Sequence, residues 1–171
     1  MPETGRGRRP GRRYLLYLVA LCLWFSMIVM APLLASIPTL KPFSGPVYFI
    51  FSWACHQDPQ RSLTIGGRPL AVCARCTFLY LGVLVASFLY PVLGFPAVPR
   101  ARFLIIAALP LVVDGGTQLL GLRSSTNLIR TLTGLLFGVA LAFYVAPEAE
   151  GALSWLPEGG KQRAAPWSPG P

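Results

Sequence analysis

Three cysteines and one histidine are crowded into 22 positions of the sequence, as Cys55, His56, Cys73 and Cys76. Two residues between cysteines allow both thiolates to reach one tetrahedral zinc ion at about 2.3 Å. These four side chains therefore predict a zinc site. Because the side chains of adjacent residues diverge, water or Asp58 is an alternative fourth ligand. A disulfide among the three cysteines is the competing interpretation, favoured by an oxidising outer compartment.

A second candidate group consists of ionisable side chains inside apolar segments. A carboxyl in hydrocarbon is costly unless it is paired, so Asp114 requires a partner, and Gln118 lies four residues on along the same helix face. We predict that Asp114 faces Arg130, either as a structural ion pair or within a polar pocket that performs chemistry on an anionic group. The predicted pocket is lined by Arg61, Asp114, Gln118, Ser125, Asn127 and Arg130.

The composition places these groups in a membrane protein. The chain has 171 residues, 54% apolar and 12% charged, with a mean hydropathy of +0.57. Soluble domains are about 45–50% apolar and about 25% charged. The net charge of +9 comes from basic residues in flanks and loops between apolar runs, so nucleic acid is not a predicted partner.

Four apolar segments reach the length of about 20 residues that a bilayer requires. They predict transmembrane helices at residues 14–37, 77–93, 103–122 and 128–146. Residues 47–54 are too few to cross and predict an interfacial or re-entrant segment. Gly66-Gly67 predicts a two-residue hairpin turn that brings Cys55 beside Cys73. The predicted fold is an all-α integral membrane protein with four transmembrane helices, this short segment and a small outer hairpin loop.

Basic residues predict the orientation, because cytoplasmic flanks carry the excess of Lys and Arg. Nine lie on the side of the termini and six on the other. We therefore predict a multi-pass protein of the cell (inner) membrane with both termini cytoplasmic and the Cys/His group outside. The predicted regions are a basic N-terminus at 1–13, a membrane domain at 14–146 with an outer loop at 38–70, and a disordered tail at 147–171. A cleaved signal peptide at 14–37 is disfavoured by its length.

Small residues recur every four positions after Arg130, at Gly134, Gly138 and Ala142. Such a face allows close helix packing. Beyond the lipid bilayer, the predicted partner is a second copy bound through the Gly134/Gly138 face.

Several polar motifs occur in a fixed order: Cys55-His56-Gln57, Arg61-Ser62, Gly66-Gly67, Val72-Cys73-Ala74-Arg75-Cys76-Thr77, Asp114-Gly115, Thr117-Gln118, Asn127, Arg130 and Thr133-Gly134. Over about residues 50–140 this set resembles a prokaryotic membrane family known as domain of unknown function 2085. The chain departs from the family pattern at Phe78, where members often have glycine. The resemblance implies a multi-span membrane protein and names no reaction.

Three functions are compatible with these residues, and they leave open whether the protein is an enzyme. The first is a zinc-containing membrane protein whose metal fixes the outer loop or acts on a lipid-like or anionic substrate. The second is a membrane thiol-disulfide oxidoreductase that uses Cys73 and Cys76. The third is a non-enzymatic transporter or assembly factor, suggested by Asp114 inside a span.

Overall fold

The computed structural model describes residues 10–93 and 101–151, and these parts contain five α-helices and two short strands. The helices are α1 (Arg12–Ser36), α2 (Lys41–Ser52), α3 (Ala74–Val92), α4 (Ala101–Leu119) and α5 (Asn127–Gly151). A 3₁₀ turn at Pro59–Arg61 and the strands β1 (Thr64–Ile65) and β2 (Arg68–Pro69) connect α2 to α3. Residues 1–9 and 152–171, which include most of the predicted basic N-terminus and tail, lie outside the described residues.

Four of these helices, α1, α3, α4 and α5, are long and apolar enough to cross a membrane. This confirms the predicted four spans and the all-α class. The bounds differ in detail: α3 begins at Ala74 instead of residue 77, and α5 continues through Pro147 to Gly151. Pro147 lies in the last turns of α5. Proline has no backbone N–H, so one helical hydrogen bond is lost there, and few further bonds follow it before the helix ends.

The segment predicted to be interfacial or re-entrant is the 12-residue helix α2. A helix of this length spans about 18 Å, too little to cross the hydrocarbon core. Phe51 is fully buried against α1, whereas Phe43, Phe49 and Trp53 are more than 60% exposed. Exposed aromatic rings on a short helix beside the spans are typical of the membrane interface.

The predicted hairpin is confirmed. Gly66 and Gly67 have φ values of 58° and 74°, and β1 and β2 pair antiparallel with Ile65 opposite Arg68. A two-residue turn with both φ values positive matches the twist of its strands and requires residues such as glycine. The hairpin returns the chain from the end of α2 to the start of α3.

The closest helix pair is α3 and α5, which meet at glycines. A Cβ atom on Gly134 would collide with the carbonyl oxygen of Arg75, and one on Gly138 with that of Leu79. Gly82 of α3 approaches the α5 backbone in the same way. The Gly134/Gly138 face is therefore occupied by α3 of the same chain, and the homodimer predicted through this face has no access to it.

The end of the bundle that carries α2 and the hairpin packs against α1. Ile28, Phe51 and Val72 are fully buried in one cluster, and the ring of Trp24 packs edge-on against Phe51 with centroids 4.9 Å apart. At the opposite end, the Tyr14 hydroxyl donates to the carbonyl of Ser87, 2.5 Å away. Because α1 and α3 run antiparallel, the end of α1 and the start of α3 lie together.

Candidate metal centre and the adjoining arginine cavity

The sulfur atoms of Cys55, Cys73 and Cys76 all lie within 4.8 Å of one another. Cys55 follows α2, and its amide donates to the Phe51 carbonyl at 3.0 Å. Cys73 is the N-cap of α3, and Cys76 lies in its first turn. We call these three side chains the cysteine trio. The hairpin thus brings together the two cysteine-bearing segments, as predicted.

Hydrogen bonds within the trio favour a thiolate at Cys55. Those from the thiols of Cys73 and Cys76 lower the pKa of Cys55, and the backbone amide of Cys73 donates to its sulfur at 3.2 Å. The same bond to Cys55 raises the pKa of Cys73. A thiolate is the form of cysteine that binds metal ions. The three sulfurs therefore form a set of metal donors in which the Cys55 thiol has the lowered pKa.

His56 does not join the trio. Its side chain is exposed, and its ring nitrogens lie outside the group of mutually close ligand atoms. The divergence of consecutive side chains explains this placement, because Cys55 points inward. Asp58, the alternative ligand, is engaged locally: its carboxylate accepts from the amide of Gln60 at 3.0 Å and pairs with Arg61 at 2.9 Å.

Gln57 holds together the segments that carry the trio, a role that its residue type does not predict. Its backbone has a φ of 53°. Its side-chain amide donates to the carbonyls of Tyr48 at 2.6 Å and Ala71 at 2.8 Å. These bonds join α2 to the segment that leads into α3. The signal in the sequence was its place in the Cys-His-Gln motif.

A cavity of about 190 Å³ adjoins the trio. Seven of the eight predicted site residues line it: Cys55, His56, Arg61, Cys73, Cys76, Gln118 and Arg130. Two neighbouring cavities of about 440 and 390 Å³ share Arg61 and Gln118 with it. The sulfur donors and the guanidinium groups therefore face the same space.

Asp114 is not among the residues that line this cavity. It forms ion pairs with arginines other than the predicted Arg130. The residue is 2% exposed, and its carboxylate forms ion pairs with Arg75 and, at 2.8 Å, with Arg123. The predicted pair of Asp114 with Arg130 is therefore wrong. Gly115 leaves space beside this pair, since a Cβ atom there would lie 3.3 Å from a guanidinium nitrogen of Arg75. The missing side chain makes room for an arginine side chain, not for another backbone.

Arg130 is 7% exposed and bonds to neutral groups. It donates to the side-chain oxygen of Asn127 at 2.9 Å. The Gln118 carbonyl, oriented by its hydrogen-bond network, accepts from Arg130 at 3.3 Å and from the amide of Ser125 at 3.0 Å. None of the ion pairs among the described residues includes Arg130, and its Nε has no hydrogen-bond partner there. Its buried guanidinium thus forms no direct ion pair with a carboxylate of the described residues.

Arg123 was missed as a site residue because its position depends on how α4 ends. The amide of Gly121 donates to the Gln118 carbonyl at 3.0 Å, and that of Leu122 to the Thr117 carbonyl at 2.9 Å. Gly121 has a φ of 68°, which completes a Schellman cap. This cap turns the chain so that Arg123 reaches back to Asp114. Gly121 after an apolar run was the available signal.

Comparisons with known proteins agree with this architecture. A family model described as "Predicted membrane protein (DUF2085)" matches residues 55–144, which contain the trio, Asp114 and Arg130. An uncharacterized protein of Methanocaldococcus jannaschii is 41% identical over 141 residues, which cover 78% of this chain and 90% of the relative. An uncharacterized protein of Methanothermobacter thermautotrophicus is 39% identical over 95 residues, which cover 54% of this chain and 84% of that protein. No solved structure matches the chain. The chain therefore belongs to the DUF2085 family of predicted membrane proteins, as its ordered motifs indicated.

Proposed function

We propose that this membrane protein holds a zinc ion between Cys55, Cys73 and Cys76 and uses it on a lipid-like or anionic substrate that occupies the adjoining cavity. The observation that carries the proposal is the mutual approach of three sulfurs to within 4.8 Å beside that cavity. Zinc–sulfur bonds of about 2.3 Å in a tetrahedron require sulfurs about 3.8 Å apart. The trio needs only a small contraction to meet this requirement.

The number of sulfurs favours a metal over a disulfide. A disulfide would join two cysteines of the trio and leave the third as a lone thiol, whereas a tetrahedral ion accepts all three. The amide of Cys73, which donates to the Cys55 sulfur, is a typical outer partner of a metal-bound thiolate. Three protein ligands would leave a fourth position for water or substrate, which the adjoining cavity would supply.

The proposed site lies on the extracytoplasmic side of the cell membrane. The trio, the end of α4 and the start of α5 lie at one end of the bundle, and the start of α1 and the end of α5 lie at the other. The excess of basic residues beside the termini supports a cytoplasmic location for them. A zinc site at the outer surface would meet substrates of the outer leaflet or the exterior.

Replacing a trio cysteine tests the metal. In full-length protein purified without chelator, we expect roughly one zinc ion per chain in the wild type and none in Cys73→Ser, because two thiolates alone hold zinc weakly. Cys22→Ser is the matched control, since Cys22 lies within α1 and should leave the zinc content unchanged. His56→Ala should also keep its zinc. The measurement is elemental analysis by mass spectrometry.

Thiol counting distinguishes the alternatives. Zinc-loaded protein, once unfolded with a chelator, should yield four alkylatable thiols. A zinc-free wild type with two thiols blocked before reduction would contradict the proposal and favour the thiol-disulfide oxidoreductase.

A further inference from the structure

The charges around the cavity do not balance. Four arginines line it and its two neighbours: Arg61, Arg75, Arg123 and Arg130. Asp58 pairs with the first of these, and Asp114 with the second and third. In the proposed zinc site, three thiolates around a divalent ion would add one net negative charge. One positive charge therefore has no counterpart among these groups.

The unmatched charge is best assigned to Arg130. The residue is 7% exposed and faces two of the cavities, and within the described parts of the chain its guanidinium donates to the side-chain amides of Asn127 and Gln118. Its Nε, like that of Arg75, lies buried without a hydrogen-bond partner among the described residues. Burying a guanidinium without an anion is costly, and the cost is greater at the edge of a membrane span. An anion bound in the cavity would remove this cost.

We infer that the cavity binds a phosphate group, held by Arg130 together with Arg61 and Arg75. These three arginines belong to α5, the 3₁₀ turn and α3, so their guanidiniums reach the cavity from separate elements. A planar carboxylate offers two oxygens to a single guanidinium fork, whereas a tetrahedral phosphate offers oxygens in several directions. Several converging arginines therefore fit phosphate better than carboxylate.

The phosphate belongs to a free ion or to a lipid headgroup, and the chemistry of recognition is the same. Leu119, at the end of α4, is 88% exposed and lines the neighbouring cavity together with Arg61 and Arg75. This apolar rim suits a phosphate that carries acyl chains. The inference rests on the proposed function only for the charge of the zinc ion. Phosphate would then be the substrate class of that site.

Titration calorimetry of the full-length protein in detergent tests the inference. The probes are inorganic phosphate and a short-chain phosphatidic acid, at constant ionic strength in a buffer without phosphate. The zinc content of every sample is measured alongside, so that loss of the metal is separated from loss of anion binding. The variants are Arg130→Gln, the exposed Arg61→Gln, and Arg68→Gln in the hairpin as matched control.

We expect saturable binding of at least one probe by the wild type. Binding should weaken roughly tenfold or more in Arg130→Gln, because a charge-assisted bond to a buried guanidinium is lost, and about threefold in Arg61→Gln. Arg68→Gln should bind as the wild type does. Binding of phosphatidic acid alone identifies a lipid headgroup as the ligand; binding of both probes means that free phosphate suffices.

Two results would overturn the inference: zinc-containing wild type that binds neither probe, or Arg130→Gln and Arg61→Gln variants that bind as tightly as the wild type. If Arg130→Gln fails to fold, Arg61→Gln decides, because its side chain is 51% exposed and contributes little to packing. Phosphate binding by a zinc-free protein would support the anion site and count against the proposed metal.

Discussion

Asp114 joins three parts of the protein through one carboxylate. Its two oxygens accept from Arg75 of α3 and from Arg123 of the loop after α4, while Asp114 itself belongs to α4. Arg75 is 19% exposed and Arg123 50% exposed in their side chains, so the first pair lies in the drier environment. We therefore assign most of the stabilisation to the pair with Arg75.

Asp114→Asn should destabilise the protein by roughly 3 kcal/mol, because the substitution keeps the shape but leaves Arg75 without its anion. Asp58→Asn is the control: its pair with Arg61 is exposed, and its loss should cost less than about 1 kcal/mol. Thermal unfolding in detergent micelles, followed by circular dichroism, measures both. Equal melting temperatures for the wild type and Asp114→Asn would mean that the buried pair does not stabilise the fold.

Residue types and spacing predicted which residues belong to the site. They predicted less well which of these residues pair with one another. Cys55, Cys73 and Cys76 could be grouped because a glycine pair between them implies a reversal of the chain. The partner of Asp114 could not be predicted, because sequence spacing does not tell which of several arginines reaches a carboxylate. That choice depends on the space left by Gly115 and on the cap at Gly121.

At the scale of helices, the contact between α3 and α5 fixes the cavity. Gly134 lies against the carbonyl of Arg75, so the arginine that holds Asp114 is also part of the helix contact. Any increase in the distance between α3 and α5 would therefore move Arg75 away from Arg130. Close packing of these two helices is a condition for the site.

Gly138→Ala tests this packing. The added methyl group would collide with the carbonyl of Leu79, and the resulting separation of the helices should cost about 1–3 kcal/mol. Gly116→Ala, the matched control in α4, meets nothing within 4 Å and should be neutral or stabilising by up to about 1 kcal/mol. Melting temperatures in the same detergent compare the two. A Gly138→Ala variant as stable as Gly116→Ala would contradict the close packing of α3 and α5.

The spans could be predicted from the sequence because long uncharged runs have few alternatives in a bilayer. Their partners could not be, since the small-residue face at Gly134 and Gly138 suits a helix of the same chain as well as one of a second copy. Residues 47–54 could be recognised as too few to cross a bilayer, but helix α2 itself was not predicted. Its start at Lys41 was missed because Pro42 and Pro46 lower the helical propensity, although proline is tolerated near a helix N-terminus.

At the scale of the whole molecule, the proposed site requires one orientation in the membrane. Alkaline phosphatase, whose disulfides form only outside the cytoplasm, should be active when fused after Ser124 and inactive when fused after Pro171. Ser124 lies in the loop between α4 and α5 and lines one of the two neighbouring cavities. Enzymatic activity of both fusions in bacterial cells is the measurement. The reverse pattern would place the cysteine trio in the cytoplasm, where thiols remain reduced.

The two hydrogen bonds of the Gln57 side-chain amide affect how the cysteines would be positioned for a metal ion. They tie the backbone of α2 to that of Ala71, and the Tyr48 hydroxyl adds a third tie to the Pro69 carbonyl at 2.5 Å. The chain entropy needed to unite residues 55 and 73 is therefore lost during folding, before any ion arrives. A preorganised set of donors binds with a smaller entropic cost, and its fixed geometry selects ions by coordination preference as much as by affinity.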